Sequence, residues 1–291
     1  MKIRVTSIQN GGASLNKKAN IDNCIQLLDK ASEMKPDFVL FSELCTCPYF
    51  CGTNDKKYFD WAEPIPGPTI EAFSERAKKY AMHIIVPLFE NASAGVYYNS
   101  AVLLDPKGNI IEGTLPNGEK VIAYRKNHIP FSYDEHLGVL RTNEKFFFTP
   151  GPGYPIFETE LCKIGIMICY DKRYMEGWRL LELMGAQIVF HPMATWGWKV
   201  NTLESELRTM ATNCGYFVVN SSKGGVETLD YERAFVGNST IVDPLGEIIA
   251  QGPSHEAPAM VHAELDFALI EQAKKLLPLA RDRRPEIYNQ C

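Results

Sequence analysis

Three reactive side chains lie at positions where short apolar segments give way to polar ones. Glu43 and Cys169 each follow such a segment, and Lys126 lies between them in the sequence Arg-Lys-Asn-His. Attack on an amide needs a nucleophile, a base that takes its proton, and a positive group for the developing oxyanion. Cys169 can attack as a thiolate, Glu43 can take the thiol proton, and Lys126 can stabilise both the thiolate and the oxyanion. The three residues together predict a cysteine hydrolase of carbon–nitrogen bonds.

Each of these residues also has an ordinary structural interpretation. A single cysteine at the end of a strand is more often part of the core. A single glutamate at that position often caps a helix, and a single lysine is usually a solvated surface charge. The prediction therefore depends on the combination and not on any one residue.

The first half of the chain alternates strand and helix patterns that would position these groups. Apolar, β-branched runs predict strands over residues 3–9, 37–42 and 84–89. Apolar residues at helical spacing predict a helix through residues 21–31, and Pro68 is suited to the first turn of a second helix.

The second half repeats this order. Strands are predicted over residues 163–169, 188–191 and 216–220, and helices over residues 176–184 and 203–213. Functional side chains gather where strands end and loops begin in α/β sheets, which is where Glu43 and Cys169 are expected.

A short internal repeat supports two similar halves. Residues 99–111 and 238–249 both read Asn-Ser, an apolar run, Asp-Pro-x-Gly and a second apolar pair, a pattern that predicts a strand, a turn and a second strand. Asp-Pro-x-Gly turns are common, so the repeat gains weight only from the matching order of elements. The expected fold class is α/β, a four-layer αββα sandwich. We expect one domain over residues 1–291, with a C-terminal arm from about residue 266 to 291.

Charge and hydropathy exclude several classes of function. The net charge of −5 does not favour binding to phosphate backbones, so no nucleic-acid partner is predicted. No run of roughly 18 apolar residues predicts a membrane span. The chain starts directly with a predicted strand and lacks a basic leader, which argues against a secretory signal.

The eight cysteines do not suggest a disulfide framework in a chain of this length, so a reduced, cytoplasmic protein is expected. Cys45, Cys47 and Cys51 form the tightest group. A metal site there lacks a supporting C-x-x-C or H-E-x-x-H motif, and packed thiols are the simpler interpretation.

The order of the motifs resembles the nitrilase superfamily. Glu43, then Arg-Lys-x-His around Lys126, then Cys169 with Asp171 two residues later follow the pattern of that superfamily, and the resemblance runs from Ile3 to about Tyr288. It implies a Glu-Lys-Cys triad on a duplicated αββα sandwich. It also implies a small-molecule substrate, no metal or other cofactor, and a homo-oligomer of at least two subunits.

The resemblance also assigns two further residues. Glu144 matches a second glutamate between the lysine and the cysteine, which would support Lys126 and position substrate or water; the alternative is a surface acid paired with Lys145. His128 matches a pocket histidine, and a structural hydrogen-bonding role is an equal alternative.

The segment after the nucleophile indicates a branch of the superfamily. Tyr170 and Lys172 fit the pattern of β-ureidopropionase, and the segment resembles N-carbamoyl-amino-acid amidohydrolases more widely. The enzymes for N-carbamoyl-D-amino acids have two arginines where this chain has Lys172 and Arg173, which leaves the stereochemistry open. Lys172 and Arg173 would hold a substrate carboxylate; the alternative is a structural pair with Asp171 or Glu176.

The loop after the strand at 188–191 should complete the pocket with Thr195, Trp196 and Trp198, although a core role for one tryptophan is an equal alternative. Three other functions remain open. They are an aliphatic amidase, an N-carbamoylputrescine-type amidase, and a non-catalytic member that binds a ligand.

Overall fold

The computed structural model of the protein describes residues 1–135, 139–197, 200–229 and 232–288. The strands are β1 (Lys2–Gln9), β2 (Phe38–Phe41), β3 (His83–Ser93), β4 (Val96–Leu104), β5 (Gly113–Thr114), β6 (Lys120–Val121), β7 (Tyr124–Arg125), β8 (Phe131–Asp134), β9 (Val139–Asn143), β10 (Ile156–Glu158), β11 (Lys163–Ile166), β12 (Ile188–Met193), β13 (Phe217–Ser222), β14 (Val226–Thr228), β15 (Glu232–Ala234), β16 (Thr240–Val242), β17 (Ile248–Gln251) and β18 (Ala259–Asp266). The α-helices are α1 (Lys17–Ala31), α2 (Pro68–Tyr80), α3 (Met175–Leu183), α4 (Val200–Cys214), α5 (Ala268–Leu276) and α6 (Pro285–Tyr288). Short 3₁₀ helices span Ser32–Met34, Lys56–Trp61, Glu144–Phe146 and Cys169–Arg173.

The two halves of the chain have the same arrangement. In the first half, β1, β2 and β3 are parallel neighbours joined through α1 and α2, and β4 pairs antiparallel with β3. In the second half, β11, β12 and β13 are parallel neighbours joined through α3 and α4, and β16 pairs antiparallel with β13. The prediction of a duplicated α/β architecture is confirmed.

Local sequence signals explain where the helices of the first half begin and end. The Asn16 side chain accepts a hydrogen bond from the Ala19 N–H at the start of α1. Pro68 starts α2, where its missing N–H would have no partner inside the helix. α2 ends at Ala81, whose left-handed backbone closes the helix.

The two Asp-Pro-x-Gly segments both form turns but not equal hairpins. The Gly108 N–H donates to Asp105 O at 2.9 Å, and the Gly246 N–H donates to Asp243 O at 3.0 Å. The second turn joins β16 to β17 as predicted. After the first turn there is only a single bridge, between Leu104 and Ile110, so the predicted second strand was wrong there.

The sheets pack face to face between two layers of helices. One sheet has the order β18-β1-β2-β3-β4-β7 and the other β17-β16-β13-β12-β11-β10-β5-β6. Phe38 and Leu40 on one sheet share a buried core with Phe190 and Val219 on the other, and α3 and α4 pack on the outer face of the second sheet in that same core. α1 and α2 cover the outer face of the first sheet in a separate buried cluster. This is the predicted four-layer αββα sandwich.

The strand predicted over residues 163–169 is shorter than expected. β11 ends at Ile166, and Cys169 begins a 3₁₀ helix with a φ of +48°. A left-handed residue cannot continue a β-ladder, and an apolar run alone does not reveal such a turn. The nucleophile candidate therefore lies on a sharp bend after the strand. No helix in the described parts of the chain is long and apolar enough to cross a membrane.

Candidate active site

Glu43 is held in a buried loop directly after β2. Its Oε1 accepts a hydrogen bond from Asn99 Nδ2 at 2.7 Å, and its Oε2 accepts one from the Ala194 N–H at 2.9 Å. Asn10, which follows β1, accepts from both the backbone N–H and the hydroxyl of Ser42 and so fixes the start of this loop. The carboxylate is thereby oriented from both halves of the chain.

Lys126 joins Glu43 to Glu144 in a buried cluster. Lys126 Nζ lies 2.8 Å from Glu43 Oε1 and 2.7 Å from Glu144 Oε2. All three side chains are almost completely withdrawn from solvent. A buried ion needs partners of opposite charge, and here one ammonium is shared by two carboxylates. The surface alternative for Glu144 is wrong, because Glu144 is buried and contacts Lys126.

Tyr49 and Thr142 complete the surroundings of Glu144. Tyr49 OH donates to Glu144 Oε1 at 2.7 Å and also lies 2.7 Å from Thr142 Oγ1. Burial raises the pKa of Glu144 to about 7, with Lys126 acting in the opposite direction and Glu43 adding to the increase. Burial alone would lower the pKa of Lys126, but the two carboxylates outweigh it and keep that pKa well above its ordinary value.

The bend that carries Cys169 is held by a buried carboxylate two residues further on. Asp171 Oδ2 accepts from the Ile168 N–H at 3.1 Å and from the Tyr124 hydroxyl. Asp171 Oδ1 accepts from the His128 N–H at 2.9 Å. Asp171 therefore ties the nucleophile loop to the segment that supplies Lys126.

The surroundings of Cys169 favour its neutral thiol over the thiolate. Burial raises its pKa, the charge of Glu43 adds to this, and the ammonium groups of Lys126 and Lys172 oppose it. Lys126 lowers the pKa of the Cys169 thiol, as predicted, but burial and the charge of Glu43 together raise that pKa by more. Attack by this thiol therefore needs a base that removes its proton, which is the task predicted for Glu43.

Cys169 and Glu144 face a common cavity. The cavity is narrow, with a volume of about 40 Å³, and it continues into open solvent. The sulfur of Cys169 lies 3.7 Å from both Ala194 O and Thr195 Oγ1. The lining comprises Tyr49, Pro130, Thr142, Glu144, Cys169, Tyr170, Lys172, Arg173, Ala194, Thr195 and Trp196. The predicted pocket residues Tyr170, Lys172, Arg173, Thr195 and Trp196 are thus all brought to this cavity.

Trp196 contributes an aromatic wall that is built with partners the sequence did not single out. Its ring lies edge-on to Tyr49 at 4.9 Å between centroids, and the Arg233 guanidinium lies 4.3 Å from its centroid. Trp198 lies outside the described residues.

Lys172 and Arg173 share a carboxylate that sequence reasoning missed. The Arg173 guanidinium forms an ion pair with Glu206 on α4, and Lys172 Nζ lies 3.8 Å from Glu206 Oε2. Neither of the partners considered in the sequence, Asp171 or Glu176, takes this place. Two cations and the carboxylate of Glu206 thus lie at this end of the cavity. Glu206 lies 33 residues after Arg173, so no local spacing could have indicated the contact.

His128 is placed beside the nucleophile loop and not in the lining of the cavity. Its Nδ1 lies 2.9 Å from Asp171 Oδ1 and 3.1 Å from Tyr154 OH, and its ring stacks on Tyr174 at 3.5 Å between centroids. These contacts match the structural alternative for His128.

The cysteine group near Glu43 consists of packed thiols. Cys45 Sγ donates to Pro87 O at 3.1 Å, and Cys51 is fully buried among aromatic residues. Burial raises the pKa of Cys45, Cys47 and Cys51. Among the residues that the structure describes, no group of three or more His, Cys, Asp or Glu side chains could hold a metal ion.

This fold, with a cysteine, a lysine and two glutamates brought together between its halves, defines a carbon–nitrogen hydrolase of the nitrilase superfamily. Residues 4–275 match the family model for carbon-nitrogen hydrolase, and the chain belongs to this family.

Two curated relatives and one solved structure are similar over most of their length. The chain is 32% identical to an N-carbamoylputrescine amidase from Oryza sativa subsp. japonica, covering 99% of this chain and 93% of that one. It is 30% identical to omega-amidase NIT2 from Xenopus tropicalis, covering 94% and 92%. The crystal structure of a carbon-nitrogen hydrolase from Helicobacter pylori G27 superposes with a TM-score of 0.87 at 29% identity, covering 99% and 97%.

Proposed function

We propose that the protein hydrolyses a small amide or ureido compound through a covalent intermediate on Cys169. The observation that carries this proposal is the buried contact of Lys126 with both Glu43 and Glu144 beside the cavity that contains Cys169. Burying three charged groups together is costly and contributes little to stability, so a chemical role accounts for the arrangement better than a structural one.

In the first step, Glu43 takes the proton of the Cys169 thiol as the sulfur attacks the carbonyl carbon. Lys126 and the backbone N–H of Tyr170, the residue after the nucleophile, stabilise the oxyanion. The carbon–nitrogen bond then breaks, and Glu43 returns the proton to the leaving nitrogen.

In the second step, water attacks the carbon of the S-acyl intermediate while Glu43 takes a proton from it. The carbon–sulfur bond then breaks, and Glu43 passes this proton to the departing sulfur of Cys169. Glu144 holds Lys126 in place through both steps. For an N-carbamoyl substrate, the products are an amine, carbon dioxide and ammonia.

The preferred substrate is an N-carbamoyl amino acid whose carboxylate binds Arg173 and Lys172. The supporting observation is that both cations line the cavity that contains Cys169. A partly desolvated cation pair favours an anionic group. Tyr170, Thr195 and Trp196 would contact the rest of the substrate.

A second candidate is hydrolysis of N-carbamoylputrescine, whose free end is a cation. Glu206 is the observation that favours it, because its carboxylate lies among the cations next to the nucleophile. The similarity to the N-carbamoylputrescine amidase of Oryza sativa adds support. A simple aliphatic amidase acts on a neutral substrate. It would need neither the cations Lys172 and Arg173 nor the carboxylate of Glu206 for binding.

Ammonia release from matched substrates tests these alternatives. 4-Ureidobutyrate and N-carbamoylputrescine carry the same ureido group on similar chains and differ in the charge of the far end. The first proposal predicts the higher kcat/KM for 4-ureidobutyrate and for other N-carbamoyl amino acids. A preference for N-carbamoylputrescine, or for a neutral amide such as propionamide, would reject the carboxylate substrate and leave the Cys169 chemistry in place.

We also propose a homo-oligomer, at least a dimer. α3 exposes Met175 and Leu183 by 57% and 49%, and both line an apolar groove together with Tyr288 near the C-terminus. A contiguous apolar surface of this kind is typical of a subunit contact. Light scattering at micromolar concentration should give at least twice the chain mass, and Leu183→Glu should reduce it. A monomer under these conditions would reject the proposal.

A cytoplasmic location is proposed on the state of the cysteines. All seven described cysteines are buried free thiols, which suits a reducing compartment. Cell fractionation tests this location directly.

A further inference from the structure

His191 contacts the backbone of Cys169 and is not among the residues that line the cavity. It lies in β12 and is fully buried, and its Nε2 lies 3.2 Å from the backbone carbonyl oxygen of Cys169. The mechanism proposed above does not use this side chain. A buried histidine aimed at the backbone of the reacting residue therefore needs an explanation.

The tautomer of His191 follows from its neighbours. Asn220 Nδ2 lies 2.9 Å from His191 O, an atom that can only accept, so the group facing it is the NH₂ of the amide. The same NH₂ lies 3.0 Å from His191 Nδ1, which must therefore accept. The ring proton is then on Nε2, and Nε2 donates to the Cys169 carbonyl. Both ends of the ring give the same assignment.

His191 is also kept uncharged. Burial lowers its pKa to about 3, and the positive charges of Lys172 and Lys126 act in the same direction. The hydrogen bond to Cys169 thus comes from a neutral imidazole.

The Cys169 backbone is in a conformation that needs such support. Its φ of +48° is uncommon for a residue with a side chain, and it persists only when the surroundings hold it in place. Asp171 accepts a hydrogen bond from the backbone N–H of Ile168, the residue before Cys169, and His191 contacts the carbonyl oxygen of Cys169 itself. Together these two contacts fix the direction in which the sulfur points.

We propose that His191 is a positioning residue for Cys169: its Nε2–H holds the nucleophile's carbonyl in the bend that directs the sulfur into the cavity. Asn220 fixes the tautomer that makes this possible. The inference rests on the proposed role of Cys169 as nucleophile and goes beyond it, since His191 touches neither substrate nor the reacting sulfur.

Two substitutions distinguish a role of His191 as a hydrogen-bond donor from a role in which its ring only fills space in the core. His191→Leu removes the hydrogen bond, whereas His191→Gln keeps an N–H donor at a similar distance. A misplaced nucleophile costs on the order of a hundredfold in rate, so His191→Leu should lower kcat and the rate of Cys169 alkylation by iodoacetamide to that extent, with KM unchanged. His191→Gln should stay within roughly tenfold of the wild type in both rates.

His83→Leu is the matched control. His83 is equally buried but stacks on Phe38 and contacts the carbonyl of Asp37. This substitution should lower the melting temperature without changing kcat or the alkylation rate.

Wild-type rates in folded His191→Leu, or an equal loss in His191→Leu and His191→Gln, would overturn the role of His191. If His191→Leu does not fold, His191→Gln decides alone: near-wild-type rates support the role, and a hundredfold loss in a folded protein rejects it. Wild-type activity that survives complete alkylation of Cys169 would instead overturn the proposed function, and the role of His191 with it.

Discussion

Lys126 Nζ lies 2.7 Å from Oε2 of Glu144 and 3.0 Å from its Oε1, and neither side chain is exposed. The contact makes Glu144 a part of the charged cluster and not an isolated acid. Burial and the charge of Glu43 raise the pKa of Glu144, and the ammonium group of Lys126 opposes them. The pH dependence of the enzyme should therefore report on Glu144.

Activity should fall as the pH drops through about 7. The pKa of Glu144 is raised to about 7, so below that pH its carboxylate takes up a proton and the ion pair with Lys126 is lost. In Glu144→Gln, kcat should be low at all pH values and the limb near pH 7 should vanish from the profile of kcat/KM. If kcat/KM of Glu144→Gln still falls as the pH drops through about 7, a group other than Glu144 causes that fall.

Cys169→Ala and Glu43→Gln should each abolish turnover in a folded protein. Double variants should lose no more than the single ones, because residues that act as a unit are not additive. Cys162→Ala is the matched control, since Cys162 is a buried thiol of the shared core that does not line the cavity. It should keep kcat. Steady-state ammonia release measures the turnover of these variants and of the control, and circular dichroism checks that each protein is folded. Turnover in Cys169→Ala would reject the assignment.

Lys126→Ala should also abolish turnover and, unlike Cys169→Ala, should destabilise the protein. It leaves Glu43 and Glu144 buried without their cation, at a cost of about 3–5 kcal/mol in the free energy of unfolding. Urea denaturation measures this loss. An unchanged free energy of unfolding would mean that the carboxylates are neutral or solvated in the folded protein.

Arg173→Ala should reduce kcat/KM for 4-ureidobutyrate by about tenfold to a hundredfold, the effect of losing one charge-assisted contact. The value for a neutral amide should change much less. Glu206→Gln should raise kcat/KM for 4-ureidobutyrate, because it releases Arg173 from its ion pair. Arg179→Ala, which breaks a similar pair with Glu182 on α3, is the control. Equal losses for both substrates in Arg173→Ala would make Arg173 structural.

His128→Phe distinguishes the two roles considered for that residue. Phenylalanine can keep the stacking on Tyr174 but loses the hydrogen bond to Asp171. Because that bond involves a charged acceptor, we expect a loss of about 1.5–3 kcal/mol in the free energy of unfolding. KM should not change. A raised KM with an unchanged free energy of unfolding would show that His128 binds substrate and has no structural role.

The sequence was sufficient for the architecture and for singling out three residues that the fold brings to one site. The hydrophobic periodicity predicted α1, α2, α3 and α4 and the strands between them, because burial of one face determines these elements. Glu43, Lys126 and Cys169 were found because their chemistry and their positions at strand ends are local features of the sequence.

The remaining features depend on contacts between distant residues. Glu206 meets Arg173, and Tyr49 meets Glu144, only because the folded chain brings separate segments together. The bend at Cys169 is imposed by Asp171 and His191, so an apolar run alone predicted a strand that is too long. Lys172 and Arg173 are visible in the sequence, but the Glu206 carboxylate that contacts both of them is not, because it lies on a distant helix.

The account depends most on a covalent intermediate at Cys169, and trapping it tests the account directly. The enzyme is mixed with 4-ureidobutyrate, quenched in acid at short times, and digested for peptide mass spectrometry. We predict an adduct on the peptide that contains Cys169, formed and lost at rates consistent with kcat, and absent in Cys169→Ala. Its mass is that of a carbamoyl group if the amino acid leaves first, and that of the N-substituted carbamoyl group if ammonia leaves first. Rapid turnover of the substrate with no adduct on Cys169 at any time, or with the adduct on another residue, would contradict the account.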